Sequence, residues 1–207
     1  MFIGIIGSAG RGVDATKWTK QIYVNCFHHL DQVLLADTPV SERNLISGGA
    51  AFSDHLAVSL FLAGKAASLQ IHAPCQFHID NMDNWFWSLK SSIPGYVDDG
   101  TVDFNKNPGG TLNYYHRRFS DVMQANTMAG IAWAIEKGAI FSVHYPPEDY
   151  KASPLHYRNL QVGKNLDRLY AFTWGIDATT PKDGGTSHCW KNSNSKQKFH
   201  IPLDTMR

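Results

Sequence analysis

The chain has 207 residues, 43% of them hydrophobic and 18% charged, enough for one domain with a full core. Its formal net charge is +1, so no global field draws it to nucleic acid or an anionic membrane surface, and no apolar run approaches the length of a membrane span. Cys26, Cys75 and Cys189 form neither a C-x-x-C pair nor a disulfide framework; they read as small packed side chains in a reducing cytoplasm.

Phe2–Ile6 is a continuous apolar run ending in glycine, which predicts a buried strand. It is entered without a charged leader, which argues against a signal peptide. Asp14 to Leu35 follows with Trp18, Ile22, Phe27, Leu30 and Leu34 at roughly helical spacing. Leu45–Ser47 reads as a short strand, Ala51 to Ala63 as a helix stopped by Gly64, and Ser68–Ala73 as a third strand closed by Pro74. This alternation predicts a parallel sheet with right-handed crossovers. Residues 76–118 break the pattern. They carry Trp85, Phe86, Trp87, Pro94, Gly95, Pro108 and Gly109, and read as an aromatic-rich, loop-rich insertion folded over the sheet edge. Helical character returns from Phe119 to Lys137. Ala139–Val143 is then a strand, Leu155–Leu166 a helix, Leu169–Thr173 a strand, Ser187–Lys196 a last helix and Phe199–Ile201 a last strand. The expected architecture is a single α/β domain over residues 1–207.

Three glycine turns sit where strands end. Gly7-Ser8-Ala9-Gly10-Arg11-Gly12 follows the first strand, Ser47-Gly48-Gly49-Ala50 the second, and Gly184-Gly185-Thr186 lies beyond the strand at 169–173. Glycine lets backbone amides approach a ligand, and a helix starting beyond the turn adds unpaired donors and a partial positive charge. Convergence of the three predicts one anionic ligand at the carboxyl edge of the sheet. The first turn is neither G-x-G-x-x-G nor a Walker loop, but it has the required strand-to-helix context, and Arg11 offers a forked phosphate contact. Asp54 stands in the first turn of the second helix, where a carboxylate either favours the dipole or accepts a ribose hydroxyl. Arg158 and Asn159 precede the strand at 169–173. Thr173 and Trp174 end it, and Thr186 adds a hydroxyl beside Gly184-Gly185.

Other clusters carry less. His72, Cys75 and His78 lack an obvious fourth zinc ligand, so no metal is expected. Tyr114-Tyr115-His116-Arg117-Arg118 offers either phosphate contacts with base stacking or a charged, tyrosine-packed helix start. Glu148 and Asp183 are carboxylates within reach of a sheet-edge cleft, without a partner that spacing can place.

Taken in order, the GSAG turn, SGGA with Asp54 four residues beyond Ala50, Arg158-Asn159 ahead of a DRLYAF strand, and the late Gly-Gly-Thr resemble the SLOG superfamily, closest to its YspA-like group. DprA and the LOG phosphoribohydrolases are more distant members. The resemblance covers about residues 1–75 and 150–203. It implies a Rossmann-like three-layer sandwich with a mainly parallel sheet. It also implies a nucleotide or ADP-ribose-type ligand held by Gly7, Ser8, Ala9, Gly10, Arg11, Ser47, Gly48, Gly49, Asp54, Arg158, Asn159, Thr173, Trp174, Gly184, Gly185 and Thr186, with no other cofactor required. Family members often associate, so a homo-oligomer is among the expectations. The P-G-G-x-G-T-x-x-E motif of the phosphoribohydrolases is not kept here, since its glutamate is missing, replaced in effect by Cys189 or its neighbours. The leading expectation is therefore a sensor, carrier or sequestering protein for a small-molecule nucleotide. The alternative is an enzyme acting on a nucleotide N-glycosidic bond through Asp54, Asp183 or Glu148. A DNA-associated role by analogy with DprA is opposed by the near-neutral charge.

Overall fold

A computed structural model describes residues 1–79, 85–88, 102–175, 177, 179–182 and 184–207. In chain order its elements are β1 (Phe2–Gly7), α1 (Lys20–His29), β2 (Asn44–Ser47), α2 (His55–Leu62), β3 (Ser68–Ala73), β4 (Phe77–Ile79) and β5 (Trp85–Trp87). They continue as α3 (Pro108–Met123), α4 (Thr127–Glu136), β6 (Ile140–Val143), α5 (Pro154–Val162), β7 (Arg168–Thr173), α6 (Gly185–Asn192) and β8 (Gln197–Pro202).

β1 and β7, which read as continuous apolar runs, are buried on both faces along most of their length. Six strands form one sheet in the order β6-β3-β2-β1-β7-β8, and every pairing in it is parallel. Alternation along each strand sends side chains to two separate cores. Ile3, Ile5, Leu45, Ile71, Tyr170 and Phe172 pack with Ile22, Leu56, Leu60, Phe119 and Ile131 from α1, α2, α3 and α4. Ile6, Ile46, Leu169 and Ala171 pack with Val162 of α5 and Cys189 of α6. The result is the expected three-layer α/β sandwich with a Rossmann-like sheet.

Two stretches expected as single helices are broken, each for a local reason. The first, from Asp14, is interrupted after a short 3-10 turn over Gly12–Thr16. It restarts where the Thr19 hydroxyl accepts from the Ile22 amide at 3.2 Å, the usual role of a threonine at a helix start. The second, from Phe119, is the end of α3 followed by α4. Gln124 adopts φ 54 and the Ala125 amide reaches back to the Ser120 carbonyl at 3.2 Å, which closes α3. The Asn126 side chain then caps α4.

The described residues of the insertion between β3 and β6 hold regular structure that its composition did not suggest. β4 and β5 form an antiparallel ladder pairing Phe77 with Trp87. α3 begins at Pro108 behind Asn107, whose side chain accepts from the Gly110 amide at 2.9 Å. α3 runs past residue 118 and, with α4, supplies part of the helical layer on the α2 side of the sheet. Trp87 is fully buried and serves this core. Its backbone is held by the Asn113 side chain through bonds of 2.8 and 3.0 Å. Pro94 and Gly95 lie outside the described residues.

Candidate functional site

From β1 the chain builds outward through β2, β3 and β6, then returns to β7 on the other side of β1. The segments leaving β1 and β7 therefore diverge toward opposite faces, and a crevice opens at their carboxyl ends. It holds about 1010 Å³ of empty space, counting the part open to solvent. Ile6, Gly7, Ser8 and Ala9 meet Thr173 and Trp174 along its length. Gly184, Gly185, Thr186, Arg158 and Asn159 line it from α5 and α6. Phe104, Thr111, Leu112 and Tyr115 close it from the insertion.

The first and third turns are tied together by their own hydrogen bonds. The Ser8 amide continues the sheet onto the Phe172 carbonyl at 2.8 Å. A Cβ on Gly7 would stand 2.2 Å from that same carbonyl oxygen and 2.5 Å from the Ser53 Cβ, so only glycine lets β1 end there. The Thr186 hydroxyl donates to the Gly7 carbonyl at 2.8 Å, and the Asn159 amide donates to the Gly185 carbonyl at 2.9 Å. α6 begins behind Gly184, at φ 130, without a side-chain cap. The positive end of its dipole thus opens on the crevice.

The second turn does something different. A Cβ on Gly48 would fall 1.1 Å from Arg158 Nη1 and 2.7 Å from Asp54 Oδ2. The space its glycine frees is filled by the protein's own guanidinium. Arg158 Nη1 lies 3.1 Å from Asp54 Oδ2, with both side chains almost wholly buried. Asp54 Oδ1 accepts the Gly7 amide at 3.1 Å, and Ser47 Oγ donates to the Asp54 carbonyl at 2.8 Å. Burial raises the Asp54 pKa above the ordinary carboxylate value, against the pull of Arg158 and of the Gly7 and Ala50 amides. Arg158 Nε has no hydrogen-bond partner among the described residues. Gly49 packs under Trp87, and its carbonyl accepts from His116 Nε2 at 3.0 Å. Of the residues expected at the site, Ser47, Gly48, Gly49 and Gly10 do not line the crevice; Gly10 instead donates its amide to Ser8 Oγ at 3.2 Å.

At the mouth, the exposed Arg11 places its guanidinium 4.0 Å from the centre of the Phe104 ring. Asp14 also lines the crevice, 5% exposed, with Lys17 at 3.0 Å and Lys182 at 2.7 Å. Burial alone would raise the Asp14 pKa, but the hydrogen bonds from Lys182 and Lys17 outweigh it and hold the carboxyl below its usual range. Cys189 is buried against the Asn159 carbonyl at 3.3 Å, and burial pushes its thiol up to about 12, far from a nucleophile's range.

Glu148 is exposed on the loop after β6 and does not line the crevice; Asp183 lies outside the described residues. Sequence reasoning did not place Asp14, Phe104, Thr111, Leu112, Leu155 or Lys182 here. Only Tyr115 was flagged, in the Tyr-Tyr-His-Arg-Arg cluster. That cluster sits inside α3, with Tyr115 turned to the crevice and Arg118 donating to the Tyr114 hydroxyl at 3.2 Å. His72 bonds to His144 at 2.7 Å, and among the described residues no three His, Cys, Asp or Glu gather as metal ligands. No described helix is long and apolar enough to cross a membrane.

Fold and crevice together define a doubly wound α/β protein with a cleft at its topological switch point. The chain is similar to a protein of Acanthamoeba polyphaga mimivirus named "Uncharacterized protein R261", with 25% identity over 205 residues, 97% of this chain and 95% of that one. No protein-family model and no solved structure matches it.

Proposed function

We propose that the protein binds a nucleotide or ADP-ribose-type ligand in this crevice, as a sensor, carrier or sequestering protein of the SLOG type. One observation carries the reading. Two glycine turns far apart in sequence meet on a single cleft, together with the uncapped start of α6, Arg11 and the buried Arg158. The uncapped start of α6 and the Arg11 guanidinium, gathered on one crevice, suit a phosphate. The apolar wall of Leu112, Tyr115, Phe104 and Leu155 suits a flat base.

Cleavage of an N-glycosidic bond is the second reading. Its support is that Asp54 lines the cleft and has a raised pKa. Both Asp54 oxygens are already engaged, by the Gly7 amide and by Arg158, which favours binding without turnover.

Thermal-shift measurement with AMP, NAD and ADP-ribose tests the proposal, with chromatography of the same mixtures to detect released base. A ligand at a hundred times its Kd stabilises by about 2.7 kcal/mol. Arg11→Ala should abolish the shift with little effect on the unliganded melting temperature, because Arg11 is exposed and stacked on one ring. No shift with any of the three at millimolar concentration would overturn the reading.

A further inference from the structure

His156 and His188 form a pair of titratable side chains beside the crevice. His156 is the third residue of α5 and His188 the fourth of α6. A helical side chain leans back over the turn that precedes it. The two imidazoles accordingly meet at the starts of their helices, with their ring planes 11° from parallel and their centroids 4.5 Å apart. Both residues are half-buried, and His188 Nδ1 is buried without a hydrogen-bond partner among the described residues. Neither ring lines the crevice, but each stands within one turn of residues that do. On α5 these are Leu155 and Arg158; at the start of α6 they are Gly184, Gly185 and Thr186, and the His188 amide donates to the Gly184 carbonyl at 2.9 Å.

The setting is electropositive. A cation near a helix start opposes the dipole, and here two helix starts come together. The charged and titratable groups set against His156 are His188 from α6, Arg11 from the first turn and Arg158 from its own helix. Arg158 is balanced by Asp54 at 3.1 Å, while Arg11 lies over the Phe104 ring at 4.0 Å. Lys191 follows one turn beyond His188 along α6. Burial lowers the pKa of both imidazoles, and the charges of His188, Arg11 and Arg158 lower that of His156 further. Both rings are therefore neutral at pH 7, which lets them stack; two protonated rings this close would repel. An anion at the start of α6 reverses the balance, because it supplies the negative charge that favours the protonated form.

Resting on the nucleotide reading above, we propose that the His156–His188 pair couples binding of a phosphate-bearing ligand in the crevice to proton uptake, so that affinity rises as the medium becomes more acidic. The direction follows from linkage. The free protein keeps the pair neutral to below the ordinary imidazole value of 6.5, and the complex holds at least one proton at a higher pH. Between those midpoints binding takes up a proton, and affinity rises by up to about tenfold per pH unit for each proton taken up. Asp54, whose carboxyl is itself raised by burial, is the competing source of such a slope, and substitution separates the two.

Isothermal titration of the whole chain with ADP-ribose at about pH 5.5, 6.5 and 7.5 tests this. The diphosphate diester keeps the same charge across that range, so any slope belongs to the protein. Affinity should be about tenfold higher at the lowest pH than at the highest, and the heat at the middle pH should differ between buffers of unlike ionisation enthalpy, as proton uptake requires. The double variant His156→Asn with His188→Asn should bind within about twofold of the unmodified protein at the highest pH and lose most of the slope. Proton NMR of the two imidazole signals in the unmodified protein gives an answer that needs no stable variant: at least one midpoint should rise by about one pH unit on saturation with ADP-ribose. A slope that survives the double variant, or midpoints that stay in place while ADP-ribose binds, would overturn the proton coupling and leave the nucleotide reading standing. Absence of binding at all three pH values would overturn both.

Discussion

Replacing Arg158 with methionine isolates the interaction at the bottom of the cleft. Arg158 and Asp54 are 4% exposed each and 3.1 Å apart, in the space that Gly48 leaves open. Methionine keeps much of the stem packing and removes the cation. The loss is then dominated by an uncompensated buried carboxylate, which costs about 3–5 kcal/mol. For a chain of this size that corresponds to a melting temperature lower by about 6–20 °C. Urea unfolding at pH 7 reads the free energy directly. The double variant Asp54→Asn with Arg158→Met removes the stranded charge but keeps an acceptor for the Gly7 amide, so it should recover most of the loss. The pH dependence follows from the same charge. Asp54 has a raised pKa when folded, so between its ordinary value of 3.8 and the raised one the folded state holds more protons than the unfolded state. Stability from this group therefore falls as pH rises through that window. Without Arg158 the window widens upward, and the Arg158→Met defect should be larger at pH 7 than at pH 4.5. A loss below about 1 kcal/mol, or a double variant no more stable than the single one, would refute the assignment of Arg158 to Asp54.

Gly48→Ala should approach Arg158→Met in severity, because its Cβ would stand 1.1 Å from Arg158 Nη1 and force the guanidinium out. Added to Arg158→Met it should cost little more, which thermal melts of the three variants will show. His116 is wholly buried, donates from Nε2 to the Gly49 carbonyl, and has its pKa lowered by burial to about 4. The unfolded chain binds its proton from about 6.5 downward, so stability from His116 is intact above that pH. It is lost progressively between 6.5 and 4, by about 3 kcal/mol in all. His116→Gln should flatten the unfolding free energy across that range, and an unchanged slope would reject the reasoning. Asp54→Asn should leave nucleotide binding by thermal shift largely intact; if chromatography shows turnover in the unmodified protein, loss of product in this variant would favour the enzymatic reading.

Much of the sheet was legible because its central strands β1 and β7 carry apolar runs and several strands are followed by glycine or proline. Ser68–Ala73 was read with its observed bounds, and the runs at Phe2 and Leu169 were missed by one residue. The helix breaks at Thr19 and Gln124 were harder, because apolar spacing continues through both and only the caps at Thr19 and Asn126 interrupt it. The cleft was half legible. The turns at Gly7 and Gly184 do face it, but the wall of Phe104, Thr111, Leu112 and Tyr115 comes from a segment whose composition suggested loop. The second turn shows where a glycine motif is ambiguous in principle. A Gly-Gly after a strand says that something approaches the backbone closely, and sequence cannot say whether that group is a ligand or a side chain of the same molecule. Here it is Arg158 on one side and Trp87 on the other. The same segment holds Phe52 at φ 60, a costly conformation for a bulky side chain, buried between Trp18 at 4.8 Å and Phe119 at 4.5 Å. That strain is tolerated because the aromatic stack and the Arg158–Asp54 pair both fix the turn. The second turn thus acts as a support for the cleft, holding Asp54 against the Gly7 amide so that the first turn keeps its shape.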